Sequence, residues 1–193
     1  MNLTRLYSYF KDCSVVVTDS RKLLQNCFFI GLRGENFDGN QFAEMALENG
    51  AKYALVDRPE IAKKNNRLIL VEDSLKTLQN LAQFHRKTLK AKIIALTGSN
   101  GKTTTKELIK SVLSQKFKTQ ATKGNFNNHI GVPLTILEFD ENSEIGILEM
   151  GANHQKEIDF LCQLAKPDIG LITNFGKAHL EGFGGYKGVI KGK

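Results

Sequence analysis

Ile93-Ile94-Ala95-Leu96-Thr97 runs directly into Gly98-Ser99-Asn100-Gly101-Lys102-Thr103-Thr104-Thr105, and no other junction in the chain constrains its fold as tightly. The apolar run reads as a buried strand. Residues 102–115 carry Leu108, Ile109, Val112 and Leu113 at helical spacing and read as a helix with those four facing inward. Between them, glycines let the backbone come close to a ligand and turn successive N–H groups inward as an anion-binding nest. The helix N-terminus adds partial positive charge. In such a strand–loop–helix, Lys102 can reach the β and γ phosphates of a nucleotide and the Thr103 hydroxyl can ligate Mg²⁺. Leu96 stands where the full G-x-x-x-x-G-K-[ST] pattern has its first glycine. The flanking strand and helix together with Gly98 supply the context that a bare Gly-Lys-Thr lacks. Gly98, Ser99, Asn100, Gly101, Lys102, Thr103 and Thr104 are therefore the expected ATP contacts. The competing reading is a glycine-rich turn with no ligand.

Elsewhere short β-rich runs alternate with helical stretches. Strands are expected over 14–18, 27–32, 52–56 and 68–71. A helix is expected over 40–49, with Phe42, Ala43, Ala46 and Leu47 on one face and Gly50 as its stop. Another starts from the N-cap Ser74 and carries Leu75, Leu78, Leu81, Ala82 and His85 at helical spacing. Further strands over 92–97, 144–149 and 168–173, with a helix over 154–164, complete an α/β chain with parallel sheets. The expected organisation is a small α/β domain over 1–73 followed by a P-loop-type parallel-sheet domain over 74–193. That second sheet has four strands or so by Lys193, few for a sheet covered on both faces, so a truncated domain is expected.

The 193 residues are 41% hydrophobic, enough for a real core. No apolar run approaches the ~20 residues that cross a bilayer, and no signal-peptide pattern opens the chain, so a cytoplasmic protein without membrane insertion is expected. Cys13, Cys27 and Cys162 are far apart and form neither a disulfide framework nor a zinc pattern. The formal net charge is +7, but the basic residues are scattered and no nucleic-acid motif is present. A polyphosphate ligand accounts for the excess charge, as a solvated surface also would.

The phosphate loop resembles that of the Mur ligase family, the cytoplasmic ATP-dependent enzymes that extend the UDP-linked peptidoglycan precursor. Gly124-Asn125-Phe126-Asn127-Asn128-His129-Ile130-Gly131-Val132-Pro133, Glu149-Met150-Gly151-Ala152-Asn153-His154 and the run from Asn174 to Gly184 are similar to one branch. That branch joins D-alanyl-D-alanine to UDP-N-acetylmuramoyl-tripeptide. Upstream, Thr18-Asp19-Ser20-Arg21-Lys22 and the run from Gly31 to Gly39 resemble its UDP-sugar-binding first domain. The family has three domains. The resemblance implies that this chain holds the first and part of the second, lacks the third, acts as a monomer and is inactive by itself.

On residue type alone, Glu149 is either a Walker-B-like Mg²⁺ ligand or a strand-end surface charge. His179 lies beyond a strand end, where open α/β sheets place ligands, although a histidine in a glycine-rich loop is often only solvated. The resemblance implies metal ligation by Thr103, Glu149, His179 and Lys193, the last through carbamylation, and catalytic roles for Lys102, Glu149, His179 and Lys193. His154 is either functional or a helix cap. Asn125, Asn127 and Asn128 form a turn cluster by composition, and the resemblance implies that they contact the sugar–peptide substrate. Asp19, Ser20, Arg21, Arg33, Gly34, Phe37 and Asp38 are the positions implied for the UDP end. Two other readings stay open. One is a sister ligase acting on a single amino acid, and the other is a nucleotide-dependent switch without ligase chemistry.

Overall fold

The apolar runs of the first half assemble, in the computed structural model, into a parallel sheet; the structure describes residues 2–193. Helix α1 (Leu3–Lys11) precedes strands β1 (Val16–Val17) and β2 (Phe28–Ile30). A short antiparallel pair, β3 (Arg33–Gly34) and β4 (Phe37–Asp38), leads through a 3-10 turn at Gly39–Phe42 into α2 (Ala43–Glu48). Then come β5 (Tyr53–Val56), α3 (Pro59–Ala62), β6 (Leu68–Leu70) and α4 (Ser74–Thr88). The sheet order is β1-β2-β5-β6, all parallel. All three residues of β2 are buried, as the central strand of a parallel sheet covered on both faces requires. One face packs Phe29, Ala54, Val56 and Leu68 against Ala43, Ala46 and Leu47 of α2. The helix expected over 40–49 starts with a 3-10 turn because the Asp38 carboxylate accepts from the Asn40 backbone N–H at 3.0 Å and caps that turn.

The second half forms its own parallel sheet. It comprises β7 (Lys92–Thr97), α5 (Lys102–Leu113), β8 (Thr119–Ala121), α6 (Gly131–Glu138) and β9 (Ile145–Glu149). These are followed by α7 (Glu157–Ala165), β10 (Ile169–Ile172), α8 (Leu180–Phe183) and α9 (Tyr186–Gly192). The order is β10-β7-β9-β8, with β7 central. Register pairs Leu96 with Glu149 and Thr97 with Ile172, so the loops after β7, β9 and β10 leave from one edge. The end of such strands is where open α/β sheets bind ligands.

The expected α/β architecture with parallel sheets is what the chain adopts, with several local differences. The chain divides into compact units after His85, twelve residues beyond the boundary expected at 73/74. The cause is α4, whose Leu78, Leu81, Ala82 and His85 are buried, with Tyr7 Oη and His85 Nδ1 2.9 Å apart. In α5, Leu108 and Val112 are 63% and 70% exposed, contrary to the inward face expected of them. Ile109 does face the sheet as expected, packing against Leu96, Ala121 and Ile147, and the fully buried side chain of the helix is Lys106. Strand β8 and helix α6 were not expected at all. Nearly every residue of α6 is buried, so its sequence shows no polar face to betray a helical period. The helix expected from 154 starts at Glu157, because Lys156 takes a left-handed φ of 68°. Among the described residues no helix is long and apolar enough to cross a membrane.

Candidate functional site

Gly98 makes the tight approach that the loop after β7 needs. Its φ is 143°, and a Cβ there would sit 1.9 Å from Thr173 Oγ1 at the end of β10. Gly101 has φ 77° and turns the chain into α5 without a side-chain cap. The first N–H groups of a helix have no intrahelical acceptor, so those of Lys102, Thr103 and Thr104 are available to an anion. Residues following β10 clasp the loop from the other side. Asn174 accepts from the Ser99 backbone N–H (3.1 Å) through its carbonyl and from the Asn100 backbone N–H (3.2 Å) through Oδ1. Asn174 Nδ2 and Thr173 Oγ1 both donate to the Asn100 carbonyl, at 3.0 and 2.6 Å. Ser99 Oγ donates to the Gly176 carbonyl. Lys102 folds back, its Nζ donating to the Gly98 carbonyl at 2.9 Å. An ammonium held on the loop by neutral carbonyls, Gly98 closely and Ser99 at 3.5 Å, can be recruited by phosphate oxygens, which bind it more strongly.

Glu149 ends β9 and is 2% exposed. Thr103 Oγ1 donates to its Oε2 at 2.9 Å and Asn127 Nδ2 donates to its Oε1 at 2.8 Å. Its backbone N–H donates to Thr122 Oγ1. It is therefore no strand-end surface charge: the carboxylate is desolvated and held by two donors. Gly151 lies directly under the Asn127 amide, where a Cβ would stand 3.0 Å from Oδ1.

The three asparagines separate into three situations. Asn127 is engaged with Glu149. Asn128 Oδ1 accepts from the backbone N–H groups of Ile130 and Gly131 at the start of α6. Asn125 is exposed, its carbonyl accepting from the Asn127 N–H. His154 is exposed and lies beside Glu157, Nδ1 to Oε1 3.5 Å. Helix α7 has no side-chain cap; Glu157, its first residue, instead holds the preceding turn by accepting from the Asn153 and His154 backbone N–H groups.

A cavity of about 540 Å³ brings Lys102, Asn127, Asn128, Gly151, His179 and Lys193 together. His179 is exposed, with a left-handed φ of 54° at the start of α8. Lys193 Nζ sits 5.2 Å from the centre of the Phe183 ring. Burial, and secondly the charge of Lys102, push the Lys193 ammonium below the usual lysine range. Two cations sharing one cavity suit an anionic ligand between them.

In the first unit a second cavity, of about 580 Å³, is lined by Arg33, Gly34, Phe37, Asp38, Phe42 and Arg58. Phe37 stacks on Phe42, with ring centres 5.5 Å apart. Behind it lies a polar network that the sequence did not announce. Asn40 is fully buried and donates to Asp38 (2.6 Å) and Asp57 (3.0 Å), while its Oδ1 accepts from the Asp57 N–H. Arg33 pairs with Asp57, and Arg58 with Asp38. Asp19 caps the 3-10 turn at Ser20–Lys22 and is clasped by the Arg21 guanidinium through two bonds of 2.9 Å. That clasp holds the Asp19 carboxyl down at about 2. Asp19, Ser20 and Arg21 follow β1 and Arg33 follows β2, so both groups sit at the C-terminal edge of the first sheet.

With this geometry in place, the comparisons are specific. Residues 13–86 match the Mur ligase family catalytic domain and residues 96–193 the Mur ligase middle domain. The chain belongs to the Mur ligase family. It is 48% identical over 179 residues to the UDP-N-acetylmuramoyl-tripeptide–D-alanyl-D-alanine ligase of Bacillus subtilis, and 43% identical over 178 residues to that of Escherichia coli. Each alignment covers 92% of this chain but 39% of the relative, so the chain spans well under half of the curated relatives it matches. Among solved structures, MurF from Acinetobacter baumannii superposes with a TM-score of 0.86 at 35% identity, over all of this chain and 44% of that one. The Thermotoga maritima MurF ligase in complex with ADP gives 0.83 at 35% identity, over 95% of this chain and 42% of that one.

Proposed function

We propose that this chain is the nucleotide- and precursor-binding part of an ATP-dependent amide ligase that joins D-alanyl-D-alanine to UDP-N-acetylmuramoyl-tripeptide in the cytoplasm. The observation that carries the reading is the convergence of Thr103 and Asn127 on the buried Glu149, beside a loop built to receive phosphates. The names of the relatives supply the substrates, and the ADP complex of one of them supports the nucleotide.

The Thr103 hydroxyl and the Glu149 carboxylate are hard oxygen donors 2.9 Å apart. Mg²⁺ is commonly held by one or two such protein ligands, with phosphate oxygens and waters completing the shell, so these residues fit it. His179 and Lys193, facing the same cavity as Lys102, are assigned to a second ion, Lys193 as its carbamate. Mg²⁺ bound there would neutralise phosphate charge and let a carboxylate approach ATP. The chain's own share is positioning and charge. Gly98, Ser99, Asn100, Gly101 and Thr104 shape the loop around the phosphates. Lys102 leaves the Gly98 carbonyl for the β and γ phosphates and stabilises the oxygens of the group in transfer. The γ-phosphoryl group passes to the terminal carboxylate of the tripeptide, giving an acyl phosphate. The amine of D-alanyl-D-alanine attacks the acyl carbon, and phosphate leaves.

Asn125 and the cavity-facing Asn128 are assigned to the peptide end of the precursor, Asn127 chiefly to Glu149. In the first unit, Arg33 and Arg58 offer guanidinium groups to a diphosphate, and Phe37 offers an aromatic face to the uracil. Asp19, Ser20, Arg21, Gly34 and Asp38 shape that edge.

Calorimetric titration of the chain with a non-hydrolysable ATP analogue, with and without Mg²⁺, and with UDP-N-acetylmuramoyl-tripeptide tests the reading. Binding of both ligands is expected, without amide formation by these 193 residues alone. Binding of neither would overturn it. In a ligase of the relatives' full length that carries these residues, D-alanyl-D-alanine should outcompete single amino acids.

A further inference from the structure

Lys106 lies one turn beyond Lys102 on α5 and is 1% exposed. Nothing in the chemistry above uses it. A buried ammonium carries a desolvation cost of several kcal/mol unless it is well paired. Here it has the Thr122 carbonyl, to which Nζ donates at 2.6 Å, and the largely exposed Glu107 carboxylate at 2.9 Å. A shorter apolar side chain would fill that face of the helix at less cost. The placement of Thr122 shows what the charge is used for.

Thr122 is where β8 gives way to the loop carrying the asparagines, and it is 2% exposed. Its Oγ1 accepts from the Glu149 N–H at 3.0 Å, and its own N–H donates to the Ile147 carbonyl. Five residues on, Asn127 grips the other end of Glu149, its side-chain carboxylate. Both ends of segment 122–127 are thus fastened to one residue. Lys106 ties that segment by a hydrogen bond to the main body of the helix that presents Lys102 and Thr103. Thr103 itself closes the circuit by donating to Glu149.

We propose that Lys106 is a positioning residue of the phosphate site: its buried ammonium fixes the Thr122 carbonyl to α5 and so sets where segment 122–128 delivers the Asn127 amide to Glu149. This rests on the reading of Glu149 and Lys102 as a nucleotide site for its consequence, though not for its geometry. With Lys106 neutralised, Thr122 keeps its bonds to β9 but loses its tie to the helix. The loop then breathes, and Asn127 spends less time on the carboxylate.

The test uses the 193-residue chain with K106M, which keeps the stem and removes the charge and donors, and K106R, which keeps a donor cation. Amide exchange over 123–128 is expected to rise about tenfold or more in K106M, with β7 and β9 unchanged, as for a local opening. In ¹H–¹⁵N spectra, the Asn127 side-chain amide should shift when E149Q is introduced into the parent and lose that response in K106M. K106R should recover most of it. A purely structural lysine would lower global stability while leaving the Asn127 response in place, and that result would overturn the proposal, as would unchanged exchange at 123–128. If K106M fails to fold, K106Q is read in the same way. Titration with a Mg²⁺–ATP analogue separates the two ideas. A parent chain that binds no nucleotide sinks the functional reading, while the exchange and spectral arms still decide the role of Lys106.

Discussion

The Thr103 hydroxyl donates to Glu149 Oε2 at 2.9 Å, which joins the first turn of α5 to the end of β9 across 46 residues of sequence. Register explains how: Leu96 pairs with Glu149, so the residue ending β9 lies beside the strand that enters the phosphate loop. If this pair receives Mg²⁺, then E149Q should weaken Mg²⁺-dependent binding of an ATP analogue about tenfold or more, the range seen when groups around a metal are removed. Binding measured in EDTA should hardly change. Equal affinities with and without Mg²⁺ in the parent chain would contradict the assignment.

Gly98 carries both a positive φ and a near-zero clearance to Thr173. A side chain there pays twice, in backbone strain and in overlap. G98A is expected to cost about 2–4 kcal/mol in urea unfolding and to abolish measurable nucleotide binding. Adding T173A should recover part of the stability by removing the overlap, while the strained φ remains. Full recovery would show that only packing matters at this position.

Asp168 fastens the start of β10 to its neighbours. It accepts from Lys92 Nζ (2.8 Å), from the Ile93 backbone N–H (2.8 Å) and from Arg86 (3.1 Å). The Lys92 bond first, then the Ile93 N–H, hold its carboxyl below the usual aspartate value of 3.8. The folded state therefore binds this proton less readily than the unfolded chain. The stabilisation is fully present above 3.8 and is lost as pH falls through the folded value. D168N should cost about 1–2 kcal/mol at pH 7, a modest figure because the group is partly solvated. Its deficit relative to the parent should shrink in denaturation curves taken below pH 3.8.

Helix α5 shows what a single sequence discloses. Its existence and its start at the phosphate loop were legible, because glycine, lysine and threonine there have few other uses. Its buried face was legible only in part. Leu108 and Val112 have the right spacing for a core stripe, yet Thr103 bonded to Glu149 and Lys106 bonded to the Thr122 carbonyl fix the rotation of the helix, which keeps Ile109 inward and turns those two outward. Hydrophobic periodicity gives a period and not a phase when polar anchors fix the rotation. Accordingly L108K and V112K should change stability by no more than about 0.5 kcal/mol. I109A, by contrast, should cost about 2 kcal/mol because it opens the cluster with Leu96, Ala121 and Ile147. Thermal unfolding of the three variants distinguishes the faces. Glu149 was legible as a strand-end acid, but its two donors were not, since they arrive from distant segments.

The least legible part of the chain is the polar network behind the cavity of the first unit. Asn40 read as the opening of a helix, and Asp57 and Arg58 gave no signal, because their partnership exists only once β5 lies beside β2. Asn40 is fully buried with its amide bonded to Asp38 and Asp57 and its carbonyl oxygen to the Asp57 N–H. Removing that side chain leaves two carboxylates without a shared donor and one buried N–H without an acceptor, each worth about 1–3 kcal/mol. N40A should therefore lower the stability of the first unit by about 2–4 kcal/mol in urea unfolding, and N40D by a comparable amount, since it replaces the donor amide with a third carboxylate. Arg33 and Arg58 take their positions from Asp57 and Asp38. Either variant should then also weaken binding of uridine diphosphate, measured by calorimetry under conditions where it remains folded. R58A tests the ligand contact without touching Asn40. If it left uridine diphosphate affinity unchanged while N40A reduced it, the loss would be traced to the loop carrying Arg33 and Phe37 rather than to the second guanidinium.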